Sequence, residues 1–420
     1  MFKKFWLDTI WGLVFIVSVA LIVTQVSQFQ VFDILDPFGD ALKDMETTDL
    51  IYSQGLREDQ LAETDVLLVN IGDLPRRGIA ELVDSINKYD PAVIGMDMWF
   101  EGTDPNGDTL GDMMLSYAFA QVENLVMYSK LENFDDDDIF DALTLSNQDL
   151  FAYGETAFTN FITGAAHQDD PKVCRTFAPS EMVGDQEELA FSVKLVQIFD
   201  SVKAQRFLDR NNDIEIINYR GNIFDESSSK ESKAQITYFA LDWYQVLGGE
   251  FVPELIKDKI VIFCYLGSQL GDPKALDDKY FTPLNFRYAG KSHADMFGGV
   301  VHANCVSMIL GESYIDSMDD NWSYFWAIII LYLNIVAFTF IYKVMPKWYD
   351  GLTKLIQLIE AFALFFLVGF VYVSFNYKLN MTATIIAVLI AGDALEIYFG
   401  VVRNLFTKEG RKELTKLKKL

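Results

Sequence analysis

Four apolar runs, unevenly spaced, constrain this chain more than anything else in it. They cover residues 5–26 at the N-terminus, then 322–342, 355–375 and 381–402 near the other end. Each holds about 20 residues, enough to cross a hydrocarbon core of ~30 Å at ~1.5 Å of helical rise per residue. Residues 27–321, between the first run and the second, have an ordinary globular composition. Four spans predict one large domain on one side of a membrane and both termini on the other.

Basic residues predict which side. Lys3 and Lys4 precede the first run, Lys343, Lys347 and Lys354 surround the link between the second and third, and Arg403 opens a basic stretch after the fourth. The link 376–380 carries only Lys378. Positive flanks mark the cytoplasmic face, and Trp6, Trp322, Trp348 and Tyr377 suit the interfaces. The expectation is a multi-pass protein of a bacterial inner membrane with cytoplasmic termini. Its parts would be a transmembrane helix at 1–26, an extracytoplasmic domain at 27–320, three transmembrane helices at 321–402 and a basic tail at 403–420. A cleaved signal peptide is the competing reading of the first run. No small-x-small site follows Val23, where the chain reads Thr24-Gln25-Val26-Ser27-Gln28, so an uncleaved span is expected.

Charge divides along the same lines. Residues 27–320 hold 53 Asp and Glu against 21 Lys and Arg, a balance of −32, while the rest of the chain carries 7 against 13, or +6. An acidic surface of this size excludes nucleic acid as a partner and favours cations or basic proteins. A solvated acidic face explains the same balance. Three scattered cysteines, Cys174, Cys264 and Cys305, are too few for a disulfide framework or a zinc site, and Cys264 and Cys305 lie in apolar patterns that suit a core.

Within residues 27–320 strands and helices alternate. Residues 66–72 (Val-Leu-Leu-Val-Asn-Ile-Gly) and 92–98 are near-continuous apolar runs, the mark of strands buried on both faces. Between them Ile79, Leu82, Val83 and Ile86 form a helical stripe. The pattern further predicts helices at 112–120, 187–199 and 237–247, strands at 125–129, 214–219 and 259–265, and an amphipathic helix at 299–310. Residues 133–179 read as loops and short pieces. The fold class expected is α/β, a doubly wound sheet inserted between one N-terminal and three C-terminal transmembrane helices.

Several strings, in order, resemble the second type of CHASE domain, an extracytoplasmic sensory module of bacterial receptors. They are Val-Leu-Leu-Val-Asn-Ile-Gly-Asp with Pro75-Arg76-Arg77, then Ala-Val-Ile-Gly-Met-Asp-Met-Trp-Phe, residues 161–175, and Ile-Asn-Tyr-Arg-Gly at 217–221. Lys259-Ile-Val-Ile, Gly271-Asp272, Thr282-Pro283 and the string from Met296 to Asn304 complete the set. The resemblance covers about residues 30–315, and it implies the one-plus-three arrangement of spans. The turn after the first strand lacks the family's usual tryptophans, and Gly72-Asp73 replaces its paired acidic residues. Family members usually continue into a cyclase, kinase or phosphatase. Here 18 residues follow the fourth run, so any output is expected to come from another protein.

Candidate chemistry follows from the sheet. Ligands of doubly wound sheets bind beyond the carboxyl ends of the strands, which singles out Asp73, Arg76, Arg77, Asp97 and Asp272. Guanidinium forks there would clamp a small anion. The alternative is that the arginines pair with Asp73 or Asp97 and only hold the loop. Asp104, Asn106, Asp108 and Asp112 alternate like calcium ligands, but Thr109 and Leu115 stand where an EF-hand needs Gly and Glu, and a turn leading into a helix explains them too. No metal and no cofactor is expected. His167, His293 and His302 lie far apart, no nucleophile elbow, phosphate loop or metalloprotease motif is present, and no enzyme is expected.

In the apolar runs, Asp8, Glu360, Asp393 and Glu396 are costly, and so are functional candidates for coupling to a proton or a partner helix. Asp8, Glu360 and Glu396 lie within reach of the cytoplasmic interface, whereas Asp393 should sit deepest. Two functions stand. One is a non-enzymatic sensory or binding protein that signals through a separate protein partner. The other is a structural subunit of a cell-envelope assembly with no small ligand; self-association is compatible with both.

Overall fold

The computed structural model describes residues 2–27, 49, 52, 62–134, 140–161, 173–223, 236–272, 274–285 and 293–403. His167, the acidic run 135–138, most of the 161–175 string and the basic tail past Arg403 lie outside the described residues. Contacts divide the chain into two units, residues 44–315 and residues 1–43 with 316–420.

Helix α1 spans Phe2–Ser27. The 44–315 unit runs β1 (Val66–Asn70), α2 (Arg76–Asn87), β2 (Val93–Met96), α3 (Thr109–Ala120), β3 (Leu125–Glu132), β4 (Ala142–Leu145) and β5 (Glu155–Phe158). It continues with α4 (Phe191–Phe199), β6 (Phe239–Leu241), α5 (Trp243–Gly248), β7 (Ile260–Cys264) and α6 (Gly298–Leu310). The seven strands form one sheet, ordered β6-β1-β7-β2-β3-β4, with β5 also paired to β3. Every pairing is parallel except β3 with β4. The class is mixed α/β with a mostly parallel sheet, as the alternation implies.

Strands β1, β2 and β7 are buried at every residue, which is why their sequences read as unbroken apolar runs. Helices cover both faces. On one, α2, α3 and α5 pack Ile79, Leu82, Val83, Leu115, Phe119 and Val246 against Leu67, Val69, Ile94, Met127 and Phe263. Each large aliphatic or aromatic side chain so buried contributes ~1.5–3 kcal/mol. On the other face lie α4 and α6. Gly299 of α6 crosses β7 so closely that a Cβ there would stand 2.3 Å from Cys264 Sγ; only a glycine admits this approach.

Four expectations need correction. Residues 187–199 are not one helix: Gln186–Leu189 pairs with Ser180–Val183 in a hairpin, and α4 starts after it. The two-residue turn at Gly184, whose φ is 60°, fixes that register and overrides the helical periodicity. Residues 237–247 divide at Asp242 into β6 and α5, because Asp242 caps the helix. The strand expected at 214–219 is only Glu215–Ile216; beyond it the backbone N–H groups of Arg220 and Gly221 donate instead to Asn304 Oδ1. Finally, α6 is not amphipathic. All thirteen of its residues are buried, so polar His302, Asn304 and Ser307 lie inside the unit. The three cysteines are buried and free, and burial pushes the Cys174 thiol up to about 12.

The second unit gathers the apolar helices. Helix α7 (Asp320–Val344), α8 (Tyr349–Phe375) and α9 (Thr382–Ile397, continued by a π-helix at Tyr398–Val402) contain the segments long and apolar enough to cross a membrane, namely Asp320–Val344, Pro346–Phe375 and Thr382–Val402. The N-terminal run differs from expectation. Helix α1 has 26 residues, but its apolar stretch among the described residues is Phe5–Val19, below that length. Ile16, Ile335, Phe338, Ala391 and Leu395 share the core of this unit.

The acids of the apolar runs differ in their partners. Asp8 has a side chain only 9% exposed, with Lys343 Nζ at 2.8 Å and Arg403 Nε at 3.3 Å. Asp393 lies on the outer surface of the helical unit, paired with Lys354. Glu396 is also exposed, and Glu360 is half-buried with Oε2 unpartnered among the described residues. Rotation about the helix, rather than distance along it, decides which acid faces the bundle.

Candidate functional site

Three neighbouring strands, β6, β1 and β7, end together at the carboxyl edge of the sheet. Asn70 closes β1 fully buried, and both ends of its amide are engaged. Nδ2 donates to Asp242 Oδ1 at 3.0 Å and to the Gly267 carbonyl at 2.9 Å. Oδ1 accepts from the N–H groups of Gly72 at 3.1 Å and Leu266 at 2.8 Å. Asp242, equally buried, also accepts from the N–H of Trp243 at 2.9 Å and of Leu270 at 2.7 Å, and forms a capping box with Gln245 at the start of α5. Two polar side chains thus tie three strand ends into one floor, with their hydrogen-bonding capacity met as burial requires. Sequence reasoning missed both residues. The available signals were a polar Asn closing an apolar strand and the Asp-x-x-Gln spacing of a helix start.

Against this floor opens a cavity of about 550 Å³, lined by Asp73 and Leu74 after β1, Trp243 at the start of α5, and residues 268–272 after β7. Asp73 and Asp272 therefore come together as the strand-end rule implies. Trp243 Nε1 donates to the Ser268 carbonyl at 3.0 Å, which fixes the indole. Gly72, with φ of 53°, leaves no room for a side chain: a Cβ there would lie 2.7 Å from Trp243 Cδ1. One oxygen of Asp272 accepts from the Lys274 N–H at 2.9 Å. Asp73 is exposed, and its carboxylate makes no hydrogen bond or ion pair among the described residues.

The arginines expected beside them point elsewhere. Arg76 is buried; its guanidinium donates to the carbonyls of Glu101 and Gly102 and to Asp112 Oδ1 at 2.6 Å. Arg77 Nη2 bonds Asp108 Oδ1 at 2.8 Å. That hydrogen bond, with the Gly111 N–H, holds the Asp108 carboxyl below its usual range. The anion clamp is thus absent, and neither arginine pairs with Asp73 or Asp97. Their partners are the acids of the calcium-like string. Asp104 Oδ1 accepts from the Asn106 N–H, and Asp108 caps α3, so that string works as a turn and helix start tied to α2. Among the described residues no group of three or more His, Cys, Asp or Glu is arranged to hold a metal ion.

Asp97, the remaining expected member, belongs to a separate buried group behind the edge. His302 Nε2 stands 3.9 Å from its Oδ1, and the imidazole packs on Phe161 at 4.2 Å and Phe191 at 5.0 Å between ring centres. Burial lowers His302 to about 3. Burial, then the neighbouring Asp278, raises the Asp97 carboxyl well above its usual range. Asp295, fully buried and bonded by the Thr282 N–H and hydroxyl, is pushed by burial up to about 7.

These shifts have a signed consequence. A carboxyl raised in the folded state holds its proton where the unfolded chain has lost it, so its stabilising effect is complete at low pH and disappears as pH rises through the folded value. Asp97 and Asp295 act in this sense, at up to ~1.4 kcal/mol per pH unit each. His302, lowered, acts oppositely, but only below its unfolded value of about 6.5. Thermal unfolding of the full chain in detergent, followed by near-ultraviolet circular dichroism, should therefore show a midpoint that falls from pH 6 to pH 8, with the share of Asp295 in that slope fading above 7. Asp295→Asn should flatten the slope; a midpoint that climbs over this range contradicts the assignment.

A family model described as the CHASE2 domain matches residues 27–341, three quarters of the chain. No curated protein and no solved structure matches it.

Proposed function

Because this chain belongs to the CHASE2 family, we propose that its α/β unit is an extracytoplasmic sensory module, anchored in a bacterial inner membrane, that passes its signal to a separate protein partner. The observation that carries the reading is the extent of the match, which runs through the whole α/β unit and on into α7, a helix long and apolar enough to span. Lys343, Lys347 and Lys354 cluster at the link between α7 and α8, while the link after α8 holds only Lys378. By the positive-inside rule this favours a cytoplasmic first link and an outer α/β unit. In this reading α1 enters the membrane with the other three helices.

The proposed action is binding, not turnover. His302 is sealed behind two phenylalanines and held neutral, a state suited to a core more than to a general base. The acidic balance alone would equally suit a docking subunit of an envelope assembly; the cavity at the carboxyl edge favours a sensor.

The test is sidedness. In a variant with the three native cysteines removed, Lys347→Cys in the link should react with a membrane-impermeant maleimide only after cells are opened. Asp185→Cys, at the exposed turn of the Ser180–Val183 hairpin, should react in cells whose outer membrane alone is permeabilised. Labelling of both from one side overturns the topology and the sensory reading with it.

A further inference from the structure

Resting on that reading, we infer that the carboxyl-edge cavity binds a small organic cation, an alkylammonium or guanidinium compound. Its volume of about 550 Å³ lies within the ~300–1,000 Å³ common to small-molecule sites. Among the described residues its lining includes two carboxylates and no basic side chain. The two guanidinium groups adjoining it in sequence are committed to Asp108 and Asp112. Lys274, next to Asp272 in the chain, is exposed and is not part of the lining.

Two further observations point to a cation. Burial raises the Tyr265 phenol, a side-chain hydrogen bond with Ser268 opposes this, and Asp73 and Asp272 on the two sides of the cavity, with Asp277, raise it further. The indole of Trp243 has its N–H committed to the Ser268 carbonyl, which leaves the ring face as the group it can offer, and a ring face attracts cations. Asp73, without a partner among the described residues, supplies the free carboxylate. The Asn70–Asp242 knot ties down Gly72 and Leu270 in the loops around the cavity, which favours a preorganised site, and the acidic surroundings raise the local concentration of a cation.

The probe is putrescine, titrated calorimetrically at low ionic strength into the full chain in detergent, with 1,4-butanediol as the neutral isostere and magnesium as the inorganic control. Saturable binding at one per chain is expected, with at least tenfold weaker binding of the diol and of magnesium. Asp73→Asn, at an exposed position where folding is not at stake, should weaken putrescine at least fivefold, and Trp243→Phe less than Trp243→Leu. Asp185→Asn, at the exposed hairpin turn and outside the lining, should change affinity by less than twofold. Equal binding of magnesium, or binding indifferent to Asp73 and Trp243, overturns the assignment. So does no binding at all; if Asp185→Cys still labels from outside, that failure removes the ligand class and leaves the sensory reading standing.

Discussion

Asp242→Leu should destabilise the α/β unit by on the order of 3–5 kcal/mol, from several buried donors left unpaired and a lost helix cap. The substitution removes the acceptor of Asn70 Nδ2, of the Leu270 N–H and of the Trp243 N–H together. Each buried donor left without a partner costs ~1–3 kcal/mol, and the lost helix cap ~1 kcal/mol. Leucine fills similar volume, so the effect isolates the polar knot. Asp242→Asn, which keeps an acceptor oxygen, should cost roughly 1–2 kcal/mol on the same grounds. Denaturant unfolding of the full chain, read by near-ultraviolet circular dichroism, measures both. A leucine variant within about 1 kcal/mol of wild type, less than a single unpaired donor should cost, would mean the knot is not the organiser of the edge. In the destabilised variant putrescine binding should vanish before global unfolding, because the loops after β1 and β7 lose their common tie.

The second large effect is expected in the helical unit. Asp8→Leu leaves Lys343 and Arg403 facing a site with no anion, and stranding charge in a low-dielectric setting costs several kcal/mol. Asp393→Leu, by contrast, strands only Lys354, which lies in the second turn of α8 and can extend its chain toward the interface, so its cost should be smaller. Asp8 is therefore expected to matter more than Asp393. Unfolding in mixed micelles with increasing dodecyl sulfate should shift strongly to lower detergent for Asp8→Leu and little for Asp393→Leu. The double variant Asp8→Leu/Lys343→Leu should recover part of the loss, since it removes one of the stranded charges. Equal shifts for the two acids would sink the assignment of Asp8 as the bundle's internal anion.

The same contrast shows what a linear reading can reach. Continuous apolar runs identified β1, β2 and β7 because strands buried on both faces leave no polar position. The stripe Ile79, Leu82, Val83 and Ile86 identified α2 because one helical face meets the sheet. Strand β6 was missed: three residues, of which only Leu241 is buried, carry too little pattern to outweigh the helical signal beside them. Helix α6 was found but misjudged, since a few polar residues on an apolar helix look like a solvent face until their partners are known. Asn304, which accepts from the N–H groups of Arg220 and Gly221 and donates to the Gly221 carbonyl, lies wholly inside.

Sequence by itself determined the place of the three C-terminal apolar helices, the parallel core strands, the segregation of acidic from basic residues, and the family resemblance. All of these are carried by patterns local to the chain: run length, period and composition. Only the tertiary structure decided which charges meet. Arg76 and Arg77 sit within four residues of Asp73, yet they turn to Asp112 and Asp108, because the first turn of α2 faces the start of α3 across the sheet edge. Asp8 meets Lys343 and Arg403 from the far end of the chain. An ion pair needs a few ångströms of separation and a shared direction, and both are set by how helices rotate and strands align, quantities that no spacing along the chain encodes. The cavity left with two carboxylates and an indole is the product of those distant pairings.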